Sequence, residues 1–225
     1  MAAAAPFKQD MRDYLAWSVR TAERTPGVTL KLGTEATPEK IKAEKPDVII
    51  VAAGADPVMP NIPGIDRENV AWAGDVELGQ ASVGEKVVVA GAGLTGSETA
   101  LHLAREGKKV TLIDMLSEEQ LDANCPLADL GTIWNLVREA GADFITKVKL
   151  EAINDKGAVI VDENGKQREI PADSVVIALG VTPRRAVAEA FAGLAPEVIA
   201  VGDGNTERGN LYSATTQGFF AAMHI

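Results

Sequence analysis

Lys86-Val87-Val88-Val89-Ala90-Gly91-Ala92-Gly93-Leu94-Thr95-Gly96 decides the fold, because an apolar run opens directly into three glycines spaced G-x-G-x-x-G. A helix-like stretch, Ser97 to Glu106, follows, and then a second apolar run, Val110-Thr111-Leu112-Ile113, that ends on Asp114. Strand, glycine turn, helix, strand and acid in that order form the dinucleotide-binding fingerprint. Gly91 permits the tight turn, Gly93 leaves room for the backbone to approach a pyrophosphate, and Gly96 lets the helix pack closely on the strand. The free amides and positive dipole end of that helix then face the phosphates. Gly107 ends the helix, and the second strand reads as a buried member of a parallel sheet.

Asp114 stands where a carboxylate accepts hydrogen bonds from the adenine ribose. It would repel a 2′-phosphate, and Met115-Leu116-Ser117-Glu118-Glu119 offer no arginine to receive one. The expected cofactor is therefore NAD(H) rather than NADP(H).

Composition sets the outer bounds. The 225 residues are 46% hydrophobic, enough for one large or two modest cores, and the net charge is -10. An acidic chain with no basic stripe is repelled by a nucleic-acid backbone, so nucleic acid is excluded as a partner. Ala2 to Ala5 is too short for a signal core and lacks preceding basic residues, and no segment reads as a membrane span. The single cysteine, Cys125, excludes an internal disulfide and points to a reducing, cytoplasmic compartment.

Outward from the fingerprint, periodicity gives a coarse map. Before it lie a helix from Phe7 to Arg24, a strand from Val28 to Leu32, a short helix opened by Thr37-Pro38 and a buried strand from Asp47 to Ala52. Pro57, Pro60, Pro63 and Gly64 mark a linker, followed by a short strand at Val70 to Ala73 and a loop or short helix around Asp75 to Gln80. After it come a polar loop at Leu121 to Pro126, a helix from about Leu127 to Ala140, and three strands joined by Asp155-Lys156-Gly157 and Asn164-Gly165 as an antiparallel meander. A buried strand from Asp173 to Ala178, another from Glu197 to Val201 and a last helix from about Ala214 to His224 complete the pattern.

Asp47 to Gly54 and Asp173 to Gly180 echo one another, each an acid, an apolar strand and a small-residue exit, and they flank the fingerprint. The order Val51-Ala52-Ala53-Gly54, Gly91 to Gly96, Ile177-Ala178-Leu179-Gly180 and Val201-Gly202-Asp203 resembles the two-dinucleotide-binding-domain flavoprotein reductases. In these an NAD(P)H domain is inserted into an FAD domain. Ala5-Pro6-Phe7-Lys8, Val28 to Thr37 and Gly107 to Met115 look most like the C-terminal region of the NADH:flavin oxidoreductases related to 2,4-dienoyl-CoA reductase and trimethylamine dehydrogenase. Those are long chains in which a barrel of the old yellow enzyme type carries FMN, followed by an iron-sulfur cluster and then this module.

The resemblance implies an α/β fold with a Rossmann-like NAD(H) domain and β-meander at 57–182, inserted in an incomplete FAD-binding domain at 1–56 and 183–225. It implies that Asp203 of Gly202-Asp203 bonds the ribityl chain of FAD, that Gln217-Gly218 lies near the flavin ring, and that Ala53-Gly54 passes close to FAD. Gly180, at the matching strand exit, joins the cofactor-contacting set. Glu98 matches the acid of the G-x-E-x-A helix start, near the nicotinamide end. The implied reaction is hydride transfer from NADH to FAD and, in the longer parent, onward passage through a [4Fe-4S] cluster to FMN and an enoate-like or amine substrate.

The first glycine fingerprint of that family, the barrel and the cluster cysteines are missing. The expectations are a truncated chain with poor FAD affinity and no turnover of its own. The strands Val28 to Leu32, Val48 to Ala52 and Glu197 to Val201 are expected to lack a sheet partner and to favour self-association or disorder. Cys125 reads as an incidental loop thiol; His102 and His224, with no partner acid or third ligand, form neither a metal nor a catalytic site. Trp17, Trp72 and Trp134 read as packing residues, Lys108-Lys109 and Glu118-Glu119 as solvated charges, and Arg184-Arg185 as either phosphate-facing or a surface pair. An NADH-binding electron-transfer subunit that completes its FAD site with another chain, and an NADH-sensing module, are the alternative functions.

Overall fold

The computed structural model describes residues 3–123, 129–205 and 209–225. They divide into a central unit, residues 58–180 with 3–8, and a flanking unit, residues 9–57 with 181–225.

The flanking unit begins with α1 (Gln9–Arg24), α2 (Pro38–Glu44), β1 (Val48–Val51) and β2 (Ala55–Pro57). The central unit contains β3 (Val70–Trp72), α3 (Ala73–Glu77), β4 (Lys86–Ala90), α4 (Leu94–Arg105), β5 (Lys109–Ile113), α5 (Glu118–Ala123), α6 (Leu130–Glu139) and β6 (Asp143–Ile145). It continues with β7 (Val148–Asn154), β8 (Gly157–Asp162), β9 (Gln167–Pro171) and β10 (Ser174–Ile177). The flanking unit then resumes with β11 (Val181–Pro183), α7 (Arg185–Ala190), β12 (Glu197–Ala200), a 3-10 turn at Gly202–Gly204 and α8 (Leu211–Met223).

In the central unit five strands pair in the order β3-β10-β4-β5-β6, all parallel. Their side chains alternate between two buried layers. Val87 and Val89 of β4, Leu112 of β5 and Val176 of β10 pack with Ala100, Leu103, Trp134 and Val137 from α4 and α6. Val88, Ala90, Ile113, Val175 and Ile177 face the other way, onto Val148, Leu150, Ile153, Ala158 and Ile160 of the β7-β8-β9 meander. Both faces of the parallel sheet are thus covered, one by helices and one by an antiparallel sheet, which accounts for its unbroken apolar strands. The fold is the mixed α/β, Rossmann-like arrangement expected from the fingerprint.

Several boundaries differ from the sequence reading. Helix α4 begins at Leu94, because Gly93 is extended (φ -67, ψ -173) and serves as its N-cap. Leu121 opens no polar loop: residues 121–123 are the last turn of α5. Residues 124–126, with Cys125, and the proposed helix start at 127–128 lie outside the described residues. Helix α6 starts at Leu130, where the Asp129 carboxylate accepts the Thr132 N–H. Helix α8 starts three residues early on a capping box, in which Asn210 Oδ1 accepts the Ser213 N–H and Ser213 Oγ accepts the Asn210 N–H, each at 2.8 Å.

The flanking unit departs further. Residues 28–32 form no strand, since they have no ladder partner among the described residues, and Val28, Leu30 and Leu32 are exposed. The other two strands expected to lack a partner pair with each other: β1 and β12 form a parallel ladder from Val48↔Glu197 to Val51↔Ala200. That ladder is half-buried rather than buried, with Val51 its only buried residue. β2 and β11 form a short antiparallel ribbon that periodicity did not suggest. No helix among the described residues is long and apolar enough to cross a membrane.

Candidate nucleotide site

The loop between β4 and α4 is held from both sides of one residue. The Ala92 N–H donates to Asp114 Oδ2 at 2.7 Å, while the Ala92 carbonyl accepts from Ser97 Oγ at 2.9 Å and from Trp134 Nε1 at 3.2 Å. The second Asp114 oxygen accepts the Leu116 N–H at 2.8 Å, so this carboxylate ties the loop after β5 to the loop after β4. Two bonds leave a carboxylate with acceptor capacity for hydroxyl groups.

The three glycines are not equivalent. Gly91 has φ +108, and a Cβ there would lie 2.4 Å from the Ala178 carbonyl oxygen. A Cβ on Gly96 would lie 1.8 Å from the Gly91 oxygen, so only glycine lets the first turn of α4 rest on the loop. Around Gly93, by contrast, a Cβ meets nothing within 4 Å, and α4 has no side-chain cap. Leu94, Thr95 and Gly96 occupy the first turn, where amide groups have no intrahelical acceptor. Open space beside uncapped amides at the positive end of a helix suits an anionic group.

On the same helix Glu98 is mostly buried and pairs with Lys8 at 2.6 Å. Burial pushes its carboxyl above the usual range, opposed by the Lys8 bond and charge and reinforced by the charge of Glu77. His102, expected from the sequence to have no partner acid, sits between two: Glu77 Oε1 at 3.1 Å from Nδ1 and Glu106 Oε1 at 3.3 Å from Nε2. Glu77 Oε2 and Thr99 Oγ1 are buried without a hydrogen-bond partner. No cluster able to hold a metal occurs among the described residues. Lys108 is no simple solvated charge either, since Nζ donates to the Val83 and Gly84 carbonyls at 3.1 Å. Gly180, just past β10, has φ +94, with its carbonyl accepting the Val58 N–H at 3.0 Å.

In the flanking unit the residues expected near FAD gather at the C-terminal ends of β1 and β12, where ligands of open parallel sheets bind. Gly54 and Gly202 have φ +72 and +65, and a Cβ on Gly204 would lie 3.5 Å from the Gly54 oxygen and 3.8 Å from the Ala53 nitrogen. Gln217 Oε1 accepts the Gly202 N–H at 2.8 Å, which ties α8 to the turn carrying Asp203. Gly218 follows on α8 with open space at its Cβ position. Arg184, half-exposed, pairs with an acid: Nη2 lies 2.5 Å from Asp56 Oδ1, and the hydrogen bond from this guanidinium holds the Asp56 carboxyl below its usual range. Trp17 is exposed on α1 beside Tyr14, not a packing residue.

Ser97, Trp134 and Glu77 escaped the sequence reading as parts of this architecture. Only the i,i+4 spacing of His102 and Glu106 was available as a signal.

Comparison with known proteins gives the family and the fold. Residues 7–214 match the family described as pyridine nucleotide-disulphide oxidoreductase. An NADH oxidase of Thermoanaerobacter brockii is 34% identical over 230 residues, covering 100% of this chain and 35% of that protein. A cinnamate reductase of Clostridium sporogenes is 32% identical over 209 residues, covering 92% of this chain and 31% of the relative. Among solved structures, a 2-naphthoyl-CoA reductase superposes with a TM-score of 0.87 at 32% identity, over 100% of this chain and 34% of the other. The chain spans about a third of the length of these relatives. Because the family match runs through both units, the chain belongs to the pyridine nucleotide-disulphide oxidoreductases, flavoprotein oxidoreductases with two dinucleotide-binding units.

Proposed function

We propose that this chain is the NAD(H)- and FAD-binding portion of a flavin-dependent NADH oxidoreductase related to 2,4-dienoyl-CoA reductase and trimethylamine dehydrogenase. The observation that carries the reading is Ala92, held through its N–H by Asp114 and through its carbonyl by Ser97 and Trp134, beside open space at Gly93. The amides of Gly93 to Gly96 would take the pyrophosphate, and Asp114 the ribose hydroxyls, its charge disfavouring a 2′-phosphate. On this reading 57–182 binds NAD(H), while 1–56 and 183–225 bind FAD through Ala53-Gly54, Gly202-Asp203 and Gln217-Gly218.

Nicotinamide and flavin supply hydride transfer when bound, and in the long proteins this chain resembles a [4Fe-4S] cluster and FMN carry the electrons on to an enoate-like or amine substrate. One relative named for NADH and another for cinnamate, an enoate, support that class of donor and acceptor. A chain with one cysteine also suits a cytoplasmic setting.

Calorimetric titration with NADH and NADPH, with a visible absorption scan after adding FAD, tests the reading. NADH is expected to bind at least about tenfold more tightly, the equivalent of roughly 1.4 kcal/mol. Tighter NADPH binding would refute the Asp114 assignment, and binding of neither nucleotide would reduce the loop to a structural turn. Sedimentation of the same sample checks self-association, which the exposed Tyr212, Phe219, Phe220 and Met223 of α8 favour.

A further inference from the structure

We infer that Trp134 is a positioning residue for the pyrophosphate of the bound dinucleotide, acting through the direction of the Gly93 amide. This rests on the nucleotide reading above and adds a residue from outside the fingerprint. Trp134 lies on α6, is 2% exposed, and shares its single indole hydrogen between the Ala92 oxygen at 3.2 Å and Ser97 Oγ at 3.0 Å. Ser97 in turn donates to the same Ala92 oxygen.

Ala92 C=O and Gly93 N–H belong to one peptide group. In a trans peptide, the form found throughout the described residues, the two bonds point in opposite directions. Two donors that draw the Ala92 oxygen into the protein therefore turn the Gly93 N–H the other way. The next atom of the chain, the Gly93 Cα, borders open space, since a Cβ there would meet nothing within 4 Å. The preceding peptide is fixed as well, through the Ala92 N–H on Asp114. Trp134 thus helps to set in advance an amide that would otherwise have to be oriented on binding, and preorganisation of that kind appears as affinity.

The indole is itself held by elements that take no part in the fingerprint. Its ring lies 5.4 Å from Phe144 of β6, the Arg138 guanidinium lies 5.0 Å over Phe144, and Arg138 pairs with Glu118 of α5 at 2.5 Å. The orientation of the loop amide is therefore written partly in α5, α6 and β6.

The test compares W134F and S97A with the parent chain in calorimetric titrations of NADH, ADP-ribose and AMP, with thermal melts to monitor folding. W134F keeps an aromatic ring and removes the N–H. Loss of one donor to the Ala92 oxygen is expected to weaken NADH and ADP-ribose about five- to tenfold while changing AMP less than about twofold. Unchanged NADH affinity, or an equal loss for AMP and ADP-ribose, overturns the inference, because a purely structural tryptophan would not single out the pyrophosphate. If W134F does not fold, S97A decides: it removes the other donor and must show the same selective loss. Failure of the parent chain to bind NADH would instead refute the nucleotide reading itself.

Discussion

Lys86–Ala90 of β4 and Val48–Val51 of β1 are nearly interchangeable as sequences, yet the four apolar residues of β4 are all buried while β1 buries only Val51. The difference lies in cover. β4 has a neighbour on each side, β10 and β5, with helices against one face and the meander against the other. Among the described residues β1 pairs only with β12, and the helices of the flanking unit bury little: α1 and α7 no residue at all, α8 only Ala221. Apolar content shows that a strand seeks cover, and only topology decides whether it finds it.

The sharpest break of this contrast is a substitution where the central unit has no slack. In Gly96→Ala the new Cβ would meet the Gly91 oxygen at 1.8 Å, a helix side-chain carbon against loop backbone, so the loop or α4 must move. The expected cost is about 3 kcal/mol or more in a denaturant titration of the central unit, with loss of NADH binding. A stable variant with intact binding would show the loop to be far softer than the geometry implies.

A matched pair of core truncations measures cover directly. Leu112→Ala in β5 removes a fully buried side chain and should cost about 2–5 kcal/mol. Ile50→Ala in β1, at a residue 39% exposed, should cost less than about 1 kcal/mol. Denaturant midpoints of the two variants check this. Equal costs would mean that β1 is covered in solution and that the contrast between the units is not a property of the protein.

The same contrast explains what the sequence disclosed. The run from β4 through α4 to Asp114 was readable because each step depends on neighbours within a few residues: an apolar strand, a glycine turn, a helix, a strand. The meander was readable for the same reason, since Asn154 Oδ1 accepts the Lys156 and Gly157 N–H groups and Asp162 Oδ1 those of Asn164 and Lys166, within their own turns. β6, β11 and α7 are too short to show a period. The lock on Ala92 was hidden because Trp134 stands 42 residues from it, and Glu77 meets His102 across 25 residues. Residues 28–32 misled because alternating apolar residues announce a strand without supplying its partner.

Two acids, one in each unit, carry the comparison into solution with opposite signs. Glu98 in the central unit is raised above its ordinary value of 4.5, chiefly by burial. The folded chain then holds this proton more tightly than the unfolded chain, so the stability it contributes is present below that value and lost as pH rises through the raised one. Asp56 in the flanking unit is lowered from 3.8 by its hydrogen bond to Arg184, so its contribution is present above 3.8 and lost as pH falls through the lowered value. Neither Glu98→Gln nor Asp56→Asn titrates at its own site. The melting temperature of the Glu98→Gln variant should therefore gain on the parent as pH climbs from about 4.5, whereas that of Asp56→Asn should gain as pH drops below 3.8. The Asp56 effect should be the smaller, and should fade in salt, because an exposed pair is screened by water and ions. If Glu98→Gln instead loses ground as pH climbs, the attraction of Lys8 outweighs burial, and the central unit treats this acid as the flanking unit treats Asp56.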